Sequence, residues 1–363
     1  MAYTTIDNPA LFFNTVLYTG DLQDSDGTGH TQSITGVGFQ PDWVWHKGRS
    51  GARTHLLVDR VRGVSSYNWI ASNSNGAEIT ANTNGAISSI DSDGITVQNG
   101  TDSSSKSNNA GKNGETWVFW NWLAGGSASS NGDGSITSSV SANTTAGFSI
   151  VSYTGTGSAA TVGHGLGAVP KMIITKGRSF SDDWLTYHES IGNGKYIILN
   201  KTDAEASSSL PWNSTTPTSS VFSIGSSGTT NNNGGTIIAY CFAEKKGYSK
   251  FGSYTGNGST SGPFVYTGFK PAWVMMKRTN GSNSWNIFDN KRATDNPVQH
   301  RLFPDTSDAE ATSSGNAVDF LSNGFVGRSS GSTVNHDGGT YIYMAFAENP
   351  FVTEGTKAAG TAR

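Results

Sequence analysis

The sequence predicts an all-β protein of three tandem β-sandwich modules, of jelly-roll or lectin-like type. Gly makes up 46 of the 363 residues and only 14% are charged, yet there are 10 Trp, 12 Tyr and 17 Phe. The aromatics come in short bursts between Gly/Ser/Asn-rich stretches, a texture of short strands joined by turns. It is too aromatic for a disordered chain. No window of a dozen residues carries a helical stripe. Finally, one set of landmarks is written three times, the signature of internal repetition.

Each copy opens on Tyr-Thr-Gly, at Tyr18–Gly20, Tyr153–Gly155 and Tyr254–Gly256. A proline then leads an apolar strand that ends on a basic residue: Pro41 to Lys47 and Arg49, Pro170 to Lys176 and Arg178, Pro271 to Lys277 and Arg278. The proline sets the entry to the strand, where its missing N–H does no harm. A second strand follows in "HLLVDRVRG", "WLTYHESIG" and "WNIFDNKRA". Next comes a short acidic tag holding Glu78, Glu205 or Glu310. "SDGITV" and "SNGFVG" read as tight turns entering strands. Each copy closes on a long strand, "TWVFWNW", "TIIAYCFAE" or "TYIYMAFAE", apolar on both faces and therefore expected in the middle of a sheet. The expected division is 1–125, 148–247 and 248–363, the last with a C-terminal tail. Residues 126–147 form a Gly/Ser-rich linker or an extra edge strand. A linker there would make the first join looser than the second.

Features present in every copy are expected to serve the fold. The pairs Lys47 with Glu78, Lys176 with Glu205 and Lys277 with Glu310 are expected to meet within their own module, or to satisfy backbone groups at the same sandwich end. Trp43 with Trp273, and Trp184 with Trp285, recur as core residues. His188 stands where the other copies have Asp59 and Asp289, which reads as a tolerant surface position. Trp69 and Trp212 have no counterpart and lie in polar surroundings. They are the ligand-binding candidates, because a loop-borne Trp can stack on a sugar face or anchor a protein contact.

Other chemistry is not indicated. The net charge is −3 with no basic block, which gives no electrostatic case for nucleic acid. No apolar run approaches a membrane span, and the N-terminus lacks the pattern of a signal peptide. Cys241, the one cysteine, reads as a buried strand residue. The seven histidines show no zinc-like spacing, and "DSDG" at Asp24–Gly27 and Asp91–Gly94 lacks a closing carboxylate for calcium. Walker A, GxSxG and dinucleotide motifs are absent. The expectation is a non-enzyme with no catalytic residue, metal or cofactor.

The run "NGDGSITSSVSANTTAGFSIVSYTGTGSAATVGHGLGAVPKMIITKGRS", Asn131 to Ser179, resembles the repeated modules of virion structural proteins from marine tailed bacteriophages. "AYTTIDNP" at the start and "YIYMAFAENPF" at the end do too. The resemblance implies a β-rich protein on the particle surface, made in the host cytoplasm. Its place would be a receptor-binding tail fibre or spike used in host attachment, or a capsid decoration (a head fibre or knob). Its partners would be other virion proteins and a host cell-surface glycan or protein, with a homotrimer as a further expectation. A carbohydrate-binding module and, less strongly, a polysaccharide depolymerase are the alternatives. The family supplies no active-site residues to carry over, and heptads of a long fibre are absent here.

Overall fold

The computed structural model describes residues 3–64 and 67–352. It is an all-β sandwich fold of antiparallel sheets, and its only α-helix among those residues is the single turn Gly228–Asn231.

One four-strand order occurs in three sheets: opening, closing, proline-led, short. In the first sheet these are Phe13–Thr19, Thr116–Trp122, Trp43–Gly48 and Leu56–Asp59. In the second they are Phe148–Thr154, Thr236–Phe242, Met172–Gly177 and Leu185–His188. In the third they are Ser249–Thr255, Thr340–Pro350, Phe269–Arg278 and Asn286–Asp289. Each closing strand is paired on both edges, as its two apolar faces predict. Pro271 sits at a register shift in its strand, where its missing donor breaks no ladder bond. The segment expected to be a linker or edge strand forms strands Ser129–Asn131 and Ser138–Asn143, added to the edge of the second sheet. It is not a loose join.

Side chains alternate across each inner sheet with period two. One face closes a sandwich against a small outer sheet: Val44, Val58 and Phe119 in the first, Ile173 and Ala239 in the second, Val274 and Tyr343 in the third. The other faces of all three sheets converge on one shared core, which the sequence does not announce. Trp43, Trp45, Trp120 and Trp122 meet Phe148, Ile174, Tyr240 and Phe242, and then Trp273, Met275, Met344 and Phe346. Trp43 stacks on Tyr240 at 4.4 Å, Phe13 on Phe346 at 5.0 Å, and Trp122 meets Trp273 edge-on at 5.6 Å. The molecule is thus three sandwiches around a common centre, with each inner sheet buried on both sides.

The Tyr-Thr-Gly landmark is explained by close approach. A Cβ on Gly20, Gly155 or Gly256 would stand 2.3 Å from a carbonyl oxygen, of Gly111, Asn232 and His336 respectively. In the second and third copies the preceding tyrosine fixes the same crossing, Tyr153 donating to the Thr230 carbonyl and Tyr254 to that of Val334, each at 2.7 Å, whereas the Tyr18 hydroxyl pairs with His46 Nε2 at 2.8 Å. Gly155→Ala should therefore destabilise by about 1–3 kcal/mol, as overpacking does, read as a lowered urea midpoint. An unchanged midpoint would show that the loop yields freely.

Candidate functional site

The recurring polar residues gather at the three junctions between sandwiches, and they act across them. The acidic tag of each sandwich lies on the next one, in a closed cycle. The Glu78 N–H donates to the Arg178 carbonyl (2.8 Å), Glu205 to Thr279 (2.8 Å) and Glu310 to Arg49 (2.7 Å). Three residues before each glutamate, the backbone carbonyl accepts from a buried lysine of the same neighbour. Lys176 reaches Asn75 (3.1 Å), Lys277 reaches Thr202 (3.0 Å) and Lys47 reaches Ser307 (3.0 Å). Seven residues before the glutamate, a carbonyl meets Trp184 Nε1 (Ala71), Trp285 Nε1 (Ile198) or His55 Nε2 (Phe303), at 2.9 Å each. A head-to-tail contact repeated this way closes a ring.

The expected Lys–Glu pairs are therefore not formed. Lys47, Lys176 and Lys277 serve backbone carbonyls, while Glu78, Glu205 and Glu310 have other partners. At two junctions the glutamate lies between two guanidiniums. Glu310 binds Arg49 (2.9 Å) and Arg292 (3.0 Å); Glu78 binds Arg178 (2.9 Å) and Arg62 (3.0 Å). Arg292 and Arg62 are fully buried and also hold Asp289 (2.6 Å) and Asp59 (2.5 Å). Those aspartates accept in turn from the preceding or following sandwich, from Trp120 Nε1 (2.9 Å) and the Tyr240 hydroxyl (2.8 Å). A carboxylate so saturated holds position and is poorly placed to move protons. The signal for this network was legible as Asp-x-x-Arg in "DRVR" and "DNKR".

His188 corrects the surface reading of its position. It is buried, and its Nε2 donates to the Tyr343 carbonyl at 3.1 Å. Burial pushes its pKa down to about 4, so the ring is neutral. Trp69 and Trp212 are corrections too: they are 6% and 2% exposed, inside the cores of the first and second sandwiches. Trp69 is held by a two-way backbone bridge to Ile79, and Trp212 packs edge-on against Tyr187 at 5.9 Å. Neither offers a face to a ligand. Asp91 ties its own turn by accepting from Ser89 and Thr96, and Asp93 joins that turn to the neighbouring loop by accepting from the Gly36 and Gly38 N–H groups. No cluster of three or more potential metal-ligating side chains exists among the described residues, and no helix there is long and apolar enough to cross a membrane.

Burial pushes Lys47 down to about 7, and Lys176 and Lys277 to about 8. Unfolded lysines keep their protons to about 10.5, so unfolding takes up protons between about pH 7 and 10, and stability should rise with pH across that window. The urea midpoint is expected to be higher at about pH 9 than at about pH 7, and Lys47→Met with Lys176→Met should flatten the slope. A flat wild-type profile would mean the lysines are solvated.

Residues 8–350 match the model of a domain of unknown function, DUF7483, and the chain belongs to that family. No curated protein and no solved structure matches it.

Proposed function

We propose that this DUF7483 protein is a non-enzymatic structural protein on the surface of a tailed-phage particle. Within that role it is either a receptor-binding tail protein or a capsid decoration. The observation that carries the reading is the closed ring: each sandwich clamps the next through its recurring Lys, Glu and Trp or His, around one shared apolar core. The residues that recur in the sequence work to hold a compact body together, as an exposed particle protein requires. The low charge and the resemblance of Asn131–Ser179 to phage virion modules point the same way. Its partners on this reading are other virion proteins and a host-surface glycan or protein, with no role for nucleic acid or membrane insertion.

Immunogold electron microscopy tests this, using antibody raised against the purified chain on intact particles of the phage that encodes it. Gold on the tail makes host recognition the function, and gold over the head makes it decoration. Unlabelled particles overturn the proposal.

A further inference from the structure

The third junction departs from the other two at the positions that carry guanidiniums. Thr279 stands where Arg49 and Arg178 stand, since its carbonyl takes the Glu205 N–H as theirs take Glu310 and Glu78. Arg278 falls one residue short and turns to Asn280 instead (3.0 Å). Ile191, three residues after His188, stands where Arg62 and Arg292 follow Asp59 and Asp289 at the same spacing. Glu205 is left with Lys195, at 2.5 Å.

Where the two guanidiniums are missing there is a cleft of about 380 Å³, lined by Ile191, Thr279, Lys195 and Glu205 among others. Hydroxyls of Ser190, Ser253, Thr255 and Thr340, all on exposed residues, surround its mouth. At the corresponding place in the second sandwich, Arg178 reaches across to Ser152 (3.3 Å), the strand counterpart of Ser253. Arginine side chains thus bridge the glutamate at two junctions and are missing from the third, where the cleft lies between the sandwiches.

We propose that this open junction between the second and third sandwiches binds a neutral polyhydroxylated ligand, one or two sugar units of a surface glycan. The ligand class rests on the particle-surface reading, while the cleft is independent of it. Hydroxyl side chains both donate and accept, which matches the mixed demand of sugar hydroxyls. Glu205 accepts from a pair of sugar hydroxyls and Lys195 donates to another. Their opposite charges cancel, which disfavours phosphates and other ions. Ile191, with Ile342 beneath, supplies apolar contact for sugar C–H groups. The volume lies within the range of small-ligand pockets, about 300–1,000 Å³.

The test is a printed array of mono- and oligosaccharides probed with the purified chain, followed by calorimetric titration of any glycan retained. Glu205→Gln should weaken binding about tenfold or more, the loss expected when a charged hydrogen-bond partner is removed. Ile191→Arg with Thr279→Arg supplies the missing guanidiniums and should abolish binding. Near-UV circular dichroism confirms that each variant is folded, and Glu205→Gln alone decides if the double variant is not. An array with no retained glycan overturns the proposal, as does a glycan bound equally well by Glu205→Gln. Either failure leaves the immunogold result untouched, so the cleft and the particle location fail separately.

Discussion

Glu310→Ala is expected to lower the free energy of unfolding by about 3–5 kcal/mol, the scale for removing one partner of a buried ion pair. Its side chain is 9% exposed, and Arg292 beside it is fully buried. Without the carboxylate, Arg292 keeps Asp289, but Arg49 loses its carboxylate partner and the third sandwich loses its ion pair to the first, keeping the backbone and neutral contacts of that junction. Burial pushes the Glu310 carboxyl up, but Arg49 and Arg292 outweigh it and hold the pKa at about 2, below the ordinary 4.5. This stabilisation is fully present above about pH 4.5 and is lost as pH falls through about 2. Glu205→Ala is the control. Its partner Lys195 is 41% exposed, and an exposed pair contributes about 0.2–1 kcal/mol. Urea unfolding of both variants near neutral pH measures the difference. Equal losses would show that the guanidiniums do not distinguish the junctions.

These two glutamates also show what a repeat makes legible. That Glu78, Glu205 and Glu310 belong to the fold could be read from their recurrence. Their partners could not, because a contact within one copy and a contact from each copy to the next leave the same pattern in the chain. The same ambiguity hid the shared core. "TWVFWNW" is apolar on both faces, which places it centrally in a sheet, but nothing in it says that Trp120 and Trp122 face two other sheets while Phe119 faces its own. Trp69 and Trp212 misled for a different reason. Their neighbours in sequence are polar, but burial is decided by neighbours in space, and both rings point back into a sandwich. His188 misled because replacing Asp by His looks like tolerance. In the structure it marks the junction where the buried Asp–Arg pair is absent, with a neutral ring and a backbone carbonyl in its place. The cleft was legible only in part. Ile191 could be found by counting three residues from His188, whereas Thr279 needed the Glu205 N–H to show which residue takes the place of arginine.

The shared core carries the second large effect. Residues 3–123, produced alone, are expected to show no cooperative unfolding transition. This segment holds a complete first sandwich with its own core of Val44, Val58, Ile95 and Phe119. Its inner sheet, however, would present Trp43, Trp45, Trp120 and Trp122 to water on the other face. Burying a large apolar side chain contributes roughly 1.5–3 kcal/mol, so four of them contribute roughly 6–12 kcal/mol, comparable with the roughly 5–15 kcal/mol by which a whole domain is usually stable. Asp59 and Arg62 would lose the Tyr240 hydroxyl, and Lys47 the Ser307 carbonyl, so these buried polar groups would keep fewer partners than in the whole chain. The intact chain should accordingly unfold in one transition, with tryptophan fluorescence and far-UV circular dichroism coincident in urea. A cooperative transition in the isolated segment, or two separate transitions in the whole chain, would mean that each sandwich stands on its own core and that the central aromatic cluster only joins finished parts. If the prediction holds, the recurring junction residues are conditions for folding rather than ornaments on it, and Ile191 and Thr279 become the places where the ring gives up stabilising contacts for an opening.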